Sequence, residues 1–297
     1  MRYFKNIDDL NEYYKVKSKH PFIDIRRYSD IIPLIPLEIE PVVYDFYKIS
    51  FVKNFNGYMK SGTTKFTGTN GILYFVEPGQ TYSCTSTAPW EGYQILVHPD
   101  IYENHQSIQN INSYNFFSYD VNESLLLTEE EEKTVSFLMN QAWNELNNKE
   151  DDFSIPIVLS FINTLLNISE RFYARQFNAR KKLCNQLASD FFKQLRMYYT
   201  NTENSHKQPS LLFFSEKLNV TPNYLSDTIR HHTGKSALNI IHYYIIEEAK
   251  RLLTTSKQTV SEISFLLGFE YPNYFSRLFK RKTKLSPSDF RKSVKSI

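Results

Sequence analysis

Arg277, Lys280, Arg281, Lys282 and Lys284 crowd into eight positions near the C-terminus, around a helical turn marked by Phe275 and Phe279. A helix that buries those two rings turns its cations to the opposite side. A guanidinium held there can grip the O6 and N7 edge of guanine with two hydrogen bonds, and an asparagine such as Asn273 can do the same for adenine. Ammonium groups and the remaining arginines suit phosphate, which adds affinity without sequence preference.

The charge of the chain is divided in the same sense. From Lys181 onward there are 19 Lys and Arg against 9 Asp and Glu, a net +10, whereas the first 180 residues carry 16 against 23, a net −7. A cationic half of this density is drawn to polyanions, because neutralising phosphates releases condensed counterions.

The elements that must position these groups are written twice. Leu218-Asn219-Val220-Thr221-Pro222-Asn223-Tyr224-Leu225-Ser226 aligns with Leu267-Gly268-Phe269-Glu270-Tyr271-Pro272-Asn273-Tyr274-Phe275-Ser276, with one extra residue in the second turn. The correspondence continues through Ile229 and Phe279, Arg230 and Lys280, Thr233 and Thr283, and Ser236 and Ser286. Asn219 and Gly268 are residue types that tolerate a left-handed turn, and Pro222 and Pro272 suit the first turn of a helix, where a missing N–H costs nothing. Each copy therefore predicts a helix-turn-helix, over about 210–234 and 259–284. Between them, 236–254 carries Leu238, Ile241, Ile245, Ala249 and Leu252 at helical spacing without an internal proline or glycine. This predicts a stiff connecting helix of about 28 Å. Leu225, Ile229, Phe275 and Phe279 are expected in the core. Upstream, Leu187, Phe191, Leu195 and Tyr198 predict another helix, which the polar run Asn201 to Gln208 ends.

The segment SEISFLLGFEYPNYFSRLFKRKTKLSPSDFRK, with LNVTPNYLSDTIRHHTGKSALNIIHYYIIEEAKRLL before it, resembles the DNA-binding domain of the AraC/XylS family of bacterial transcriptional regulators. The likeness covers roughly 185–295, including the Gly268-Phe269 turn, the Phe275-Ser276-Arg277 run and the later Ser286-Pro287 and Phe290-Arg291. It implies a sequence-specific regulator, activator or repressor, that binds double-stranded DNA, with RNA polymerase as a partner. The base-reading positions it implies are Asn223, Ser226 and Asp227 in the first unit and Asn273, Ser276 and Arg277 in the second. Arg230, Lys235, Lys280 and Arg281 are assigned to phosphates. Asp227 departs from this chemistry: phosphates repel a carboxylate, so it must accept from cytosine, pair with Arg230, or stay out of the groove.

The acidic half reads differently. Gly57, Gly62, Gly68, Gly71, Gly79 and Gly92 fall in one stretch with alternating apolar residues, which predicts antiparallel strands over roughly 20–120. Thr128 and Glu131 form a capping box, and Val135, Leu138, Met139, Ala142 and Leu146 follow at helical spacing. A second helix over about 154–177 buries Ile155, Val158, Leu159, Ile162, Leu165, Leu166 and Phe172. The family's sensing arrangement, a cupin-like antiparallel β-barrel followed by a helical pair, is similar in architecture and in fragments such as Pro78-Gly79-Gln80 and Gly92-Tyr93. The fold class expected is thus α+β with two domains. Residues 1–180 form a cupin-like effector-binding and dimerisation domain, and 185–297 an all-α DNA-binding domain.

A small-molecule effector is expected among the aromatics Tyr44, Phe46, Tyr82, Trp90 and Tyr93, and a homodimer seam along helices 128–178. A cupin-type metalloenzyme and an interaction adaptor are the competing classes. His20, His98 and His105 make no HxH pair, and no nucleotide loop, GxSxG or HExxH occurs, so neither a metal, a cofactor nor catalysis is expected. Cys84 and Cys184 form no metal or redox motif. Neither a secretory signal nor a membrane span is read, and a cytoplasmic address is expected.

Overall fold

The computed structural model describes residues 2–31, 38–53, 57–61, 64–68, 71–86, 89–103, 105, 111–120, 123–147, 151–179, 181–200 and 207–295. Gly62 and most of the polar run Asn201 to Gln208 lie outside them. The chain divides into two compact units, Met1–Ala179 and Arg180–Ile297.

Among its described residues the first unit has ten strands: β1 (Arg2–Phe4), β2 (Ile23–Arg27), β3 (Glu38–Tyr44), β4 (Tyr47–Val52), β5 (Gly57–Ser61), β6 (Thr64–Gly68), β7 (Ile72–Val76), β8 (Thr81–Ser86), β9 (Gly92–Val97) and β10 (Leu125–Leu126). Its helices are α1 (Ile7–Tyr13), α2 (Tyr28–Ile31), α3 (Glu129–Asn147) and α4 (Ser154–Ala179). The strands pair in two five-stranded sheets, ordered β1-β3-β8-β5-β6 and β10-β7-β4-β9-β2. Every described ladder is antiparallel except β1 with β3. The architecture is α+β as expected, but among the described residues no ladder joins the sheets into a closed barrel.

The sheets are joined instead by side chains. Strand periodicity sends alternate residues inward, and Val42, Tyr44, Tyr82 and Cys84 of one sheet share a core with Val52, Ile72, Tyr74, Val76 and Leu96 of the other. On the outer face of the second sheet, Phe75 meets Phe116, Phe117 and the α4 residue Tyr173.

The predicted capping box holds: the Thr128 N–H donates to Glu131 at 2.9 Å and the Glu131 N–H to Thr128 Oγ1 at 3.3 Å. Arg175 of α4 donates twice to Glu131, at 2.9 and 2.6 Å, and to the Leu126 carbonyl at 2.7 Å. One difference from the periodicity reading is that Tyr173, not Phe172, is the fully buried ring on this turn. The stacked cluster with Phe116 selects it.

The second unit is helical: α5 (Lys181–Met197), α6 (Leu211–Leu218), α7 (Pro222–Thr233), α8 (Ala237–Thr255), α9 (Val260–Leu266), α10 (Pro272–Thr283) and α11 (Pro287–Lys295). Phe191, Phe214, Leu225, Ile229, Ile241, Ile245, Phe275 and Phe279 form its core. The stripe of α8 runs through Ala237, Ile241, Ile245, Ala249 and Leu253. Leu238, placed by spacing on the buried side, is 47% exposed. Among the described residues no helix is long and apolar enough to cross a membrane.

Candidate nucleic-acid interface

The sequence repeat persists as a repeat of local geometry. Asn219 ends α6 in the left-handed region (φ 53°), and Gly268 holds the equivalent turn at φ 83°. At Gly268 a side chain is excluded twice: the torsion disfavours L residues, and a Cβ would lie 2.0 Å from the Gln208 nitrogen. Pro222 and Pro272 start α7 and α10.

Both second helices end alike, with Gly234 at φ 74° and Lys284 at φ 69°, each donating its N–H back to residue 230 or 280. Thr233 Oγ1 donates to the Ile229 carbonyl and accepts from the Lys235 N–H. Thr283 does the same with Phe279 and Leu285. Ser236 and Ser286 then cap the following helices through Asn239 and Asp289. These bonds satisfy the orphan groups of the helix ends and fix how α7 and α10 are presented.

Each of these helices is two-faced. Tyr224, Leu225, Thr228 and Ile229 are buried on α7, and Phe275, Leu278 and Phe279 on α10. The candidate residues follow the complementary spacing i, i+3, i+4, i+7: Asn223, Ser226, Asp227 and Arg230 on one, Asn273, Ser276, Arg277 and Lys280 on the other. Such positions share one helix face. On α10, Asn273, Arg277, Lys280 and Arg281 are exposed and Ser276 is half-buried. On α7, Asn223, Ser226 and Asp227 are half-buried while Arg230 and Lys235 are exposed.

Of the three roles open to Asp227, the structure shows the pairing: Arg230 donates to it at 3.0 Å. The first helix therefore presents a partly neutralised face and the second a cationic one. Arg277 lies over the Tyr274 ring at 4.8 Å, a cation–π contact that orients the guanidinium.

Sequence reasoning missed Tyr274 and its edge-on neighbour Tyr271, both more than half exposed at the head of α10. Their signal was legible, since position 274 sits off the 275/279 stripe. Lys282, read from the sequence only as one of the clustered cations, donates to Asn239 of α8 at 3.3 Å. His242 of the same helix is held below the usual imidazole range by burial and by the charges of Lys282 and Arg281.

The aromatics expected to hold an effector are not all brought together. Tyr44, Phe46, Tyr82 and Trp90 lie buried between the sheets, where Tyr44 and Trp90 line a small cavity of about 10 Å³. Tyr93 faces the other way. Alternation along β9 sends Gln94 and Leu96 inward, and the Tyr93 hydroxyl donates to Asn140 of α3 at 3.1 Å. Among the described residues no three His, Cys, Asp or Glu side chains converge as a metal site.

A chain segment with two left-handed turns, two proline-started helices and a connecting helix is a double helix-turn-helix domain. The helix-turn-helix family matches residues 214–293, and the segment is of the AraC type. Curated relatives include the raffinose operon transcriptional regulatory protein RafR of Pediococcus pentosaceus, 30% identical over 31% of this chain and 33% of that protein. The arabinose operon regulatory protein of Escherichia coli is 38% identical over 24% of this chain and 25% of that protein. The chain thus spans a third or less of the length of these relatives. Among solved structures, the C-terminal domain of AraT, a response regulator from Geobacillus stearothermophilus, is 28% identical over 35% of this chain and 84% of that one, with a TM-score of 0.31.

Proposed function

We propose that the protein is a DNA-binding transcriptional regulator that lays α7 and α10 in successive major grooves on one face of a duplex. Residues 1–180 act as the effector-binding and dimerisation part, and residues 185–297 as the DNA-binding part. The observation that carries this reading is the doubled geometry: two helices start, turn and end alike and present the same spacing of polar residues. The 19-residue α8 between them is a rod of about 28 Å, close to the roughly 34 Å turn of B-form DNA.

In this reading Asn273, Ser276 and Arg277 read bases in one groove, and Asn223, Ser226 and Asp227 contribute less in the other. Arg230, Lys235, Lys280 and Arg281 hold phosphates. The α3–α4 pair, which exposes Phe137 and Ile157 with Phe153 just before α4, forms a homodimer seam. By the family resemblance, the bound domain meets RNA polymerase, and the protein works in the cytoplasm without catalysis. Footprinting on genomic fragments selected by the protein tests the reading: two protected half-sites about one turn apart are expected. A single patch of protection would defeat the two-groove arrangement.

Arg277→Ala is expected to weaken the selected site about 5- to 150-fold and to relax preference at one guanine, as loss of a bidentate base contact does. Competition gel shifts with that base pair varied would show it. Unchanged preference would remove Arg277 from the groove. Asp227→Ala is expected to act in the opposite direction: it releases Arg230 from its 3.0 Å partner and removes a carboxylate from a polyanion's surface. Affinity for unrelated duplex should rise by a few-fold, about 1 kcal/mol at most for so exposed a pair.

A further inference from the structure

Lys48 of β4 points into the space between the two sheets and is only 4% exposed. Its ammonium lies 5.2 Å from the Tyr82 ring centre and 5.7 Å from that of Tyr44, both fully buried. It borders the small cavity together with Leu10, Tyr14, Tyr28, Tyr74 and Trp90. Among the described residues no carboxylate pairs with it. A lone cation in such a place is costly, because desolvation penalises the charged form. Burial lowers its pKa to about 8, so at neutral pH it is still mostly protonated.

The acidic groups facing it offer no counter-charge. Tyr28, Tyr44, Tyr74 and Tyr82 are all pushed upward by burial, and the Cys84 thiol is pushed up to about 11. All five are neutral at pH 7, and the Tyr74 and Tyr82 hydroxyls are occupied with each other at 2.9 Å. The missing anion therefore has to come from outside this set.

We infer that the interior of the first unit binds a small organic carboxylate, its carboxylate on Lys48 and its apolar body against Tyr14, Tyr28, Tyr44 and Trp90. This names the chemical class of the effector proposed above and rests on that reading. One lysine balances one charge. A phosphate dianion would leave a surplus negative charge buried in the same place, whereas a monocarboxylate leaves none. The aromatic walls favour a flat or alkyl body over a polyhydroxylated one. The present cavity has room for about one water. A larger ligand must therefore displace Leu10 and Tyr14, which belong to α1 and its C-terminal cap. Binding is in this way tied to movement of the N-terminal helix.

The test uses the full chain and a panel of carboxylates, from acetate to octanoate and from benzoate to naphthoate, each beside its neutral amide. Trp90 fluorescence, corrected with a Trp143→Phe background, and calorimetry read binding without DNA. At least one carboxylate is expected to bind about tenfold or more tightly than its amide. Lys48→Met, which keeps the length and removes the charge, should abolish that preference. It should also raise the Tm of the unliganded protein by about 2–4 °C, since an unpaired buried charge is lost. Lys48→Arg should retain the preference in part.

Carboxylates no better than amides across the panel, or a Lys48→Met variant that keeps the preference, would overturn the inference. So would a Lys48→Met variant that melts lower than the parent. A gel shift on the same samples separates the two readings. Loss of the carboxylate preference with DNA binding intact removes this inference alone. DNA binding absent with the preference intact removes the regulator reading and leaves the ligand chemistry standing.

Discussion

Raising sodium chloride from about 50 to about 200 mM is expected to weaken binding to a duplex by roughly 150-fold, with a log–log slope near −3.6, if four phosphates are neutralised. The four side chains proposed for them, Arg230, Lys235, Lys280 and Arg281, are all exposed on or just beyond α7 and α10. The estimate depends on Arg230, because that guanidinium is already engaged by Asp227. If the ion pair survives on DNA, three phosphates remain and the slope falls to about −2.7, roughly a 40-fold loss over the same range. Asp227→Ala should then restore the steeper slope. Titration of both proteins by fluorescence anisotropy on an unrelated duplex distinguishes the cases. A slope near zero would remove the phosphate contacts altogether.

Phe275→Ala is expected to destabilise the second unit by about 3–5 kcal/mol, the usual cost of truncating a fully buried phenylalanine. The ring is inaccessible to solvent and packs against Phe269 at 5.5 Å and Phe279 at 5.8 Å. It also anchors the face of α10 opposite Arg277, so the cavity left by truncation would free the helix that carries the proposed base-reading residues. Hydrogen exchange along α10 should accelerate by about two to nearly four orders of magnitude, the same free energy expressed as an opening constant. Leu212→Ala, at a 57% exposed position of α6, is the control and should stay within about 0.5 kcal/mol. Equal effects from the two substitutions would show that α10 is not held by this core.

Much of the second unit was legible because its signals are local. Asn219, Gly268, Pro222 and Pro272 act on the backbone within a few residues, and the structure shows each doing so. Spacing also separated the buried rings of α10 from its cations. The same reasoning failed where several registers were open. Leu238 and Ile241 both fit a helical stripe on α8, and only packing against the surrounding helices decides that Ile241 is buried and Leu238 is not. Phe172 and Tyr173 are a similar choice, settled by the aromatic cluster around Phe116.

In the first unit the strands could be expected, but their assembly could not. Strand β1 is three residues long and shows no alternation, yet it pairs in parallel with β3. The expected pocket aromatics joined Tyr93, on the outward face of β9, to four residues buried between the sheets, because composition does not say which side of a strand meets the core. Lys48 was invisible to composition as well, since one lysine among 35 Lys and Arg carries no mark of burial.

The sequence by itself determined the repeated helix-turn-helix, its caps and turns, and the charge that sets it toward a polyanion, since these depend on torsion preferences and spacing within a few residues. The tertiary structure alone decided the two-sheet arrangement of the front unit and the enclosure between the sheets of a lysine that no described carboxylate pairs. Those features arise where residues distant in the chain compete for one volume, and the winner is set by packing and desolvation rather than by any local preference.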